Sequence, residues 1–117
     1  MAARLKLKLQ LLREDEIALG PGKADLLEAI AAHGSISAAG RAMGLSYRRA
    51  WLMVDTMNRC FSEPLVATRR GGPGGARLTP AGMETLAAYR ALEAALDKAA
   101  HAPGAQLLAR LKPSGSS

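Results

Sequence analysis

The chain has 117 residues, enough for one small domain and too few for two independent hydrophobic cores. Apolar residues make up 49% and aromatic residues 3%, so the core must be drawn from Leu, Ala, Ile, Val and Met, which favours helices. Sixteen Lys and Arg against ten Asp and Glu leave a net charge of +6, which suits a polyanionic partner without requiring one.

From the N-terminus, Leu5, Leu7, Leu9 and Leu11 alternate with Lys6, Lys8, Gln10 and Leu12. This period of two specifies a half-buried strand. A lone strand has unmet backbone groups, so it must pair, either with a second strand around Glu16 to Leu19 across the polar turn Arg13-Glu14-Asp15, or with a neighbouring subunit. Gly20-Pro21-Gly22 then breaks the sheet. Leu26, Leu27, Ile30 and Ala31 follow at helical spacing up to His33, and Gly34 supplies a C-terminal stop.

The stretch Gly34 to Phe61 reads as two short helices joined by a tight turn, the layout of a helix-turn-helix. Ser35 or Ser37 caps the first helix, which Ala38, Ala39, Ala42 and Met43 keep slim. Gly44 takes a positive φ in the turn and Leu45 plugs the corner. Ser46 caps the second helix. Along it Ala50, Val54, Met57 and Phe61, with Trp51 beside them, form a stripe toward the core, while Tyr47, Arg48 and Arg49 occupy the opposite face at its start. These are residues that a helix would push into a DNA major groove, N-terminal end first.

Pro64 and a short strand Leu65 to Thr68 come next, then Arg69-Arg70, the glycine-rich run Gly71 to Gly75, and a return strand Ala76-Arg77-Leu78. The expected product is a hairpin wing with arginines on both legs. A phosphate-cradling nucleotide loop is excluded, because the Lys-Ser/Thr that completes it is missing and no helix starts at the glycines. Thr79-Pro80 starts a helix of some twenty residues, with Met83, Leu86, Tyr89, Leu92 and Leu96 on one side. Its surplus apolar face either packs on a partner subunit or covers the first strand. Pro103-Gly104 is expected to end it, leaving a folded domain over residues 1–102 and a short, partly disordered tail over 103–117.

Charge and reactive groups narrow the functional classes. Between Ser35 and Thr79 stand seven basic residues, all arginine (Arg41, Arg48, Arg49, Arg59, Arg69, Arg70 and Arg77), against Asp55 and Glu63, so most of the basic surplus lies around the helix-turn-helix and the wing. Arginine is the side chain best suited to bidentate phosphate or guanine contact. Cys60 is the single cysteine, which excludes a disulfide framework and a thiolate metal cluster, and it is expected as a small buried hydrophobe near a helix end. His33 and His101 are isolated and expected at the surface or at helix ends. With no His-supported nucleophile and no metal ligand set, the chain is not expected to be an enzyme, to hold a cofactor or metal, or to offer a small-molecule site. No run approaches the roughly 18 consecutive apolar residues of a membrane span, and the N-terminus lacks a signal peptide's apolar region, so no membrane partner and a cytoplasmic location are expected.

The residues GSISAAGRAMGLSYRRAW, the following MVDTMNRCF, LVATRRGGPGGARLTPAG and, more loosely, the leading KLKLQL resemble the N-terminal DNA-binding domain of the ModE family of molybdate-responsive transcriptional regulators. That domain's winged helix-turn-helix is related to the LysR type. LysR-type domains share GSI-x-AA and LTxAG but usually lack SYRRAW and the Met57-Asn58 pair, so the ModE-like assignment is preferred. The resemblance covers about residues 5 to 96. It implies a mainly α fold with a small β component, a winged helix-turn-helix with N-terminal strand and long C-terminal dimerisation helix. It also implies a homodimer bound to a palindromic operator in double-stranded DNA, acting as a sequence-specific transcriptional regulator. Onto this sequence it places Ser46, Tyr47, Arg48 and Arg49 at the major groove and Arg69, Arg70, Gly74, Gly75 and Arg77 at the wing; Ser35, Ser37 and Arg41 complete the expected DNA-binding set. Full-length family members continue into a molybdate-binding domain, and no residue here supports molybdate sensing, so a regulator without that domain is expected. The alternative is a dimeric protein-interaction adaptor that keeps the winged-helix shape without reading DNA.

Overall fold

A computed structural model describes residues 3–69 and 75–113. Its elements run β1 (Leu11–Arg13), β2 (Glu16–Leu19), α1 (Pro21–His33), α2 (Ile36–Ala42), α3 (Tyr47–Cys60), β3 (Val66–Thr68), β4 (Ala76–Leu78) and α4 (Pro80–Leu108). Two antiparallel hairpins, β1-β2 and β3-β4, flank the helices, so the fold is a winged helix-turn-helix with a long final helix.

The first hairpin is shorter than the leucine alternation implies. Leu11 pairs with Leu19, Leu12 with Ile17 and Arg13 with Glu16, with Glu14 at φ 56 in the turn, while residues 3–10 belong to no strand. The reason is the supply of partners: β2 is only four residues long, so the chain before Leu11 has no ladder to join. Leu5 and Leu7 are consequently exposed. The segment runs instead beside α4, where the Tyr89 hydroxyl donates to the Leu9 carbonyl at 2.7 Å and Leu5 lies against Gly104.

Helix α1 begins at Pro21 and not after Gly22, because proline at the first helical position sacrifices only an N–H that has no helical acceptor. It ends as expected at Gly34, which adopts φ 75 and donates its N–H to the Ile30 carbonyl at 2.8 Å. Leu26, Leu27 and Ile30 are fully buried, whereas Ala31 faces out. With Leu19, Val54, Met57 and Leu65 they form the centre of the core.

Helix α4 does not stop at Pro103-Gly104 but continues to Leu108. Proline inside a helix costs one backbone hydrogen bond and a local clash, roughly 3 kcal/mol. The cost is confined to one turn whose proline is exposed, and Leu5 packs across the next residue. Only Leu86 and Tyr89 of the expected apolar side join the core, while Met83, Leu92 and Leu96 are exposed. Arg90 pins α4 to α1, bonding Asp25 at 2.7 Å, Glu28, and Glu93 on its own helix at 2.9 Å.

Candidate nucleic-acid interface

The local chemistry of the two serines sets the helix-turn-helix. Ser35 has extended backbone and its Oγ accepts from the Ala38 N–H at 3.0 Å, so Ser35, not Ser37, is the cap of α2. Ser37 instead accepts from Arg41 Nη1 at 2.9 Å, one turn on, which holds that guanidinium along the helix. Gly44 turns the chain at φ 71, and Ser46 caps α3 by accepting from the Arg49 N–H at 3.1 Å. The two helices cross closely at Gly40, where an added Cβ would lie 3.1 Å from that of Ala50. That contact explains the small residues of α2 more directly than their helix propensity does.

Ala50, Val54 and Met57 seat α3 on the core. Phe61 lies just past the helix end and is only partly buried. Trp51 is not part of the buried stripe: it is 37% exposed and meets Tyr47 edge-on, with ring centroids 6.2 Å apart. Position 51 falls about 100° from position 50, which turns its ring away from the core and toward the wing. Arg48 and Arg49 are exposed on the first turn and hold no ion pair among the described residues. Arg59, at the other end of α3, is committed elsewhere. It grips Glu16 of β2 through two bonds of 2.8 and 2.9 Å and holds that carboxyl at about 2, below its ordinary 4.5. Cys60 is half-buried beside the same carboxylate, Sγ to Oε1 3.5 Å, and burial together with Glu16 pushes its thiol pKa up. It is the helix-end residue expected, less buried than expected.

The wing is fastened to this unit at three places. Asn58 of α3 accepts from the N–H groups of Leu65 and Val66 at 2.9 and 3.1 Å and donates to the Val66 carbonyl at 3.1 Å. Ala76 donates its N–H to the Gly34 carbonyl at 2.8 Å, and Arg69 closes the hairpin on the Gly75 carbonyl at 2.8 Å. At its base the Thr79 hydroxyl donates to the Pro64 carbonyl at 2.6 Å while accepting from the Gly82 N–H at 2.9 Å. Gly82 itself sits so close to Leu65 that an added Cβ would fall 2.1 Å from the Leu65 carbonyl oxygen.

This arrangement gathers a cleft of about 510 Å³ between the helix-turn-helix and the wing, lined by Ser35, Ser37, Arg41, Tyr47, Trp51, Thr68, Arg69 and Gly75 among others. Arg48 and Arg49 stand on the exposed first turn of α3 outside that lining. Arg77 is set apart. It pairs across the ladder with Ala67, is exposed between the buried Ala76 and Leu78, and borders a smaller recess with Arg69 and Gly75 instead of lining the cleft. Arg70 and Gly74, the remaining expected wing residues, lie outside the described residues. Leu52, which periodicity alone did not single out, is 54% exposed one turn after Arg48. The sequence signal that marks it is a leucine opposite the buried line of Ala50, Val54 and Met57. His33 and His101 are exposed, the first at the end of α1. Among the described residues no helix is long and apolar enough to cross a membrane.

Sequence comparison places these features in a family. The profile of the bacterial regulatory helix-turn-helix proteins, lysR family, matches residues 23–83. The chain is 46% identical over 93 residues to the molybdenum-pterin-binding protein MopA of Rhodobacter capsulatus, covering 78% of this chain and 35% of that protein. It is 43% identical over 94 residues to the molybdenum transport protein ModE of Azotobacter vinelandii, covering 79% and 35%. Against the DNA-binding transcriptional dual regulator ModE of Escherichia coli K12 it is 35% identical over 101 residues, covering 85% and 38%. The chain thus spans about a third of the length of these curated relatives. With a matched helix-turn-helix, a turn built by Gly44 and a second helix capped by Ser46, the chain belongs to the lysR family of bacterial regulatory helix-turn-helix proteins, in a ModE-like form.

Proposed function

We propose that this domain is the sequence-specific DNA-binding part of a transcriptional regulator, working as a homodimer on a palindromic operator. The observation that carries the reading is the exposed start of α3. Tyr47, Arg48 and Arg49 project there without ion-pair partners among the described residues, beside a wing that brings Arg69 and Arg41 to one cleft. Arginines along the rim neutralise phosphates and make affinity salt-dependent, and the first turn of α3 inspects base edges. Ser35 and Ser46 cap the helices that present those groups and Ser37 steadies the Arg41 guanidinium, while Arg70, Gly74, Gly75 and Arg77 belong to the wing's share of the contact. The molybdenum in the relatives' names is said of those proteins; the role proposed here is confined to DNA.

Dimerisation is supported by the apolar surface that the single chain leaves uncovered. Leu5 and Leu7 of the N-terminal segment lie alongside α4, which exposes Leu92 and Leu96. Two copies related by a two-fold axis present their α3 helices about 34 Å apart, one turn of DNA. Selection of bound duplexes from random DNA tests both parts. Recovery of two inverted half-sites spaced by about one turn is expected. Recovery without a motif refutes sequence reading, and a single half-site together with a monomer mass by light scattering refutes the dimer.

A further inference from the structure

The outward line of α3 changes character along its length. Opposite the buried Ala50, Val54 and Met57 stand Arg48, Leu52, Asp55 and Arg59. The last two are tied to each other at 3.6 Å, and Arg59 also holds Glu16, so the second half of the line is an ion-pair network. The first half is different: an arginine without an ion pair among the described residues is followed by a leucine that is 54% exposed, with Trp51 and Tyr47 on its flank toward the wing. An apolar side chain at the middle of a surface that otherwise meets polyanion needs an apolar counterpart. On the major-groove edges of the four base pairs that counterpart is the C5-methyl group of thymine.

We propose that Leu52 reads a thymine methyl group in the major groove, next to the base pair or phosphate met by Arg48. The assignment rests on the DNA-reading role proposed above. It makes Leu52 a specificity residue and predicts thymine in each half-site, one helical turn along α3 from the position that depends on Arg48.

The tightest duplex recovered by selection is remade with each thymine replaced in turn by deoxyuridine, which removes one methyl group and leaves every hydrogen-bonding edge intact. The full chain is expected to lose about fourfold in affinity at one position of each half-site, the worth of one buried methyl-sized group. Leu52→Ala removes no core contact, so its circular dichroism and melting temperature are expected to match the wild type. It binds the all-thymine duplex correspondingly more weakly and is indifferent to uracil at that position. A flat uracil scan with the wild type, or a penalty that survives in Leu52→Ala, overturns the assignment. The two levels separate cleanly: a selected motif with a flat scan removes only the methyl contact, whereas selection without a motif removes DNA reading and this contact with it.

Discussion

Replacing Asn58 by alanine tests the joint between reader helix and wing. The amide makes three hydrogen bonds to β3 and its approach, two accepted from Leu65 and Val66 N–H groups and one donated to the Val66 carbonyl, all between 2.9 and 3.1 Å. A net hydrogen bond is worth about 0.5–1.5 kcal/mol, and the groups here are only partly buried, so water recovers some of the loss. The expected cost is about 2–3 kcal/mol. For a domain near 100 residues each kcal/mol shifts the melting temperature by roughly 4–8 °C, so Asn58→Ala should melt on the order of 10–20 °C lower at equal protein concentration. Asn58→Asp separates the parts: it keeps an acceptor for the two N–H groups but sets an oxygen against the Val66 carbonyl, and is expected to fall at or below the alanine variant at neutral pH. Thermal melts followed by circular dichroism give both numbers. If Asn58→Ala melts within about 2 °C of the wild type, the amide is not what holds the wing.

Arg49→Ala is expected to cost about 1–3 kcal/mol on a selected operator and to relax preference at one base position; equal losses on operator and random DNA in a binding titration would reduce Arg49 to a phosphate contact. Glu16→Gln breaks the Arg59 clamp between β2 and α3. Because the Glu16 carboxyl is held at about 2 instead of 4.5, its contribution is complete above pH 4.5 and disappears as pH falls through 2. The melting-temperature gap between wild type and Glu16→Gln should therefore be open at neutral pH and close across that window, and a gap that is constant with pH would show that the pair contributes nothing. Gly82→Ala drives a methyl group to 2.1 Å from the Leu65 carbonyl oxygen, so α4 or the base of β3 must shift. A loss at the upper end of the about 1–3 kcal/mol typical of overpacking is expected by denaturant unfolding, and an unchanged midpoint would mean that the close approach relaxes freely.

Much of the candidate interface was legible from residues alone. Ser46 before Tyr47 and Thr79 before Pro80 are caps whose hydrogen bonds close within three residues, Gly34 and Gly44 take the positive φ that their places require, and the core line Ala50, Val54 and Met57 follows from helical spacing. Other positions depend on how the elements meet. Helical spacing sets Trp51 beside the core stripe, yet its direction about α3 and the gap beside the wing leave it at the cleft. Arg77 follows the same strand alternation as Arg69, away from the buried Ala76 and Leu78, yet only Arg69 reaches the cleft.

The same division runs through the whole chain. Sequence by itself determined the order and type of the elements, the helix-turn-helix, the wing and the arginine surplus around them, because propensity, capping and periodicity are decided by neighbours a few residues away. Only the tertiary structure decided how far they extend and what they face. The leucine alternation from Leu5 became a strand only where β2 was there to pair with it, and α4 ran through Pro103 because a single lost bond at an exposed turn is a local cost. Asn58 acquired its role from a backbone segment seven residues on, folded back against it. Pairing, clamping and exposure depend on which surfaces meet, and that is settled by packing between segments, not within them.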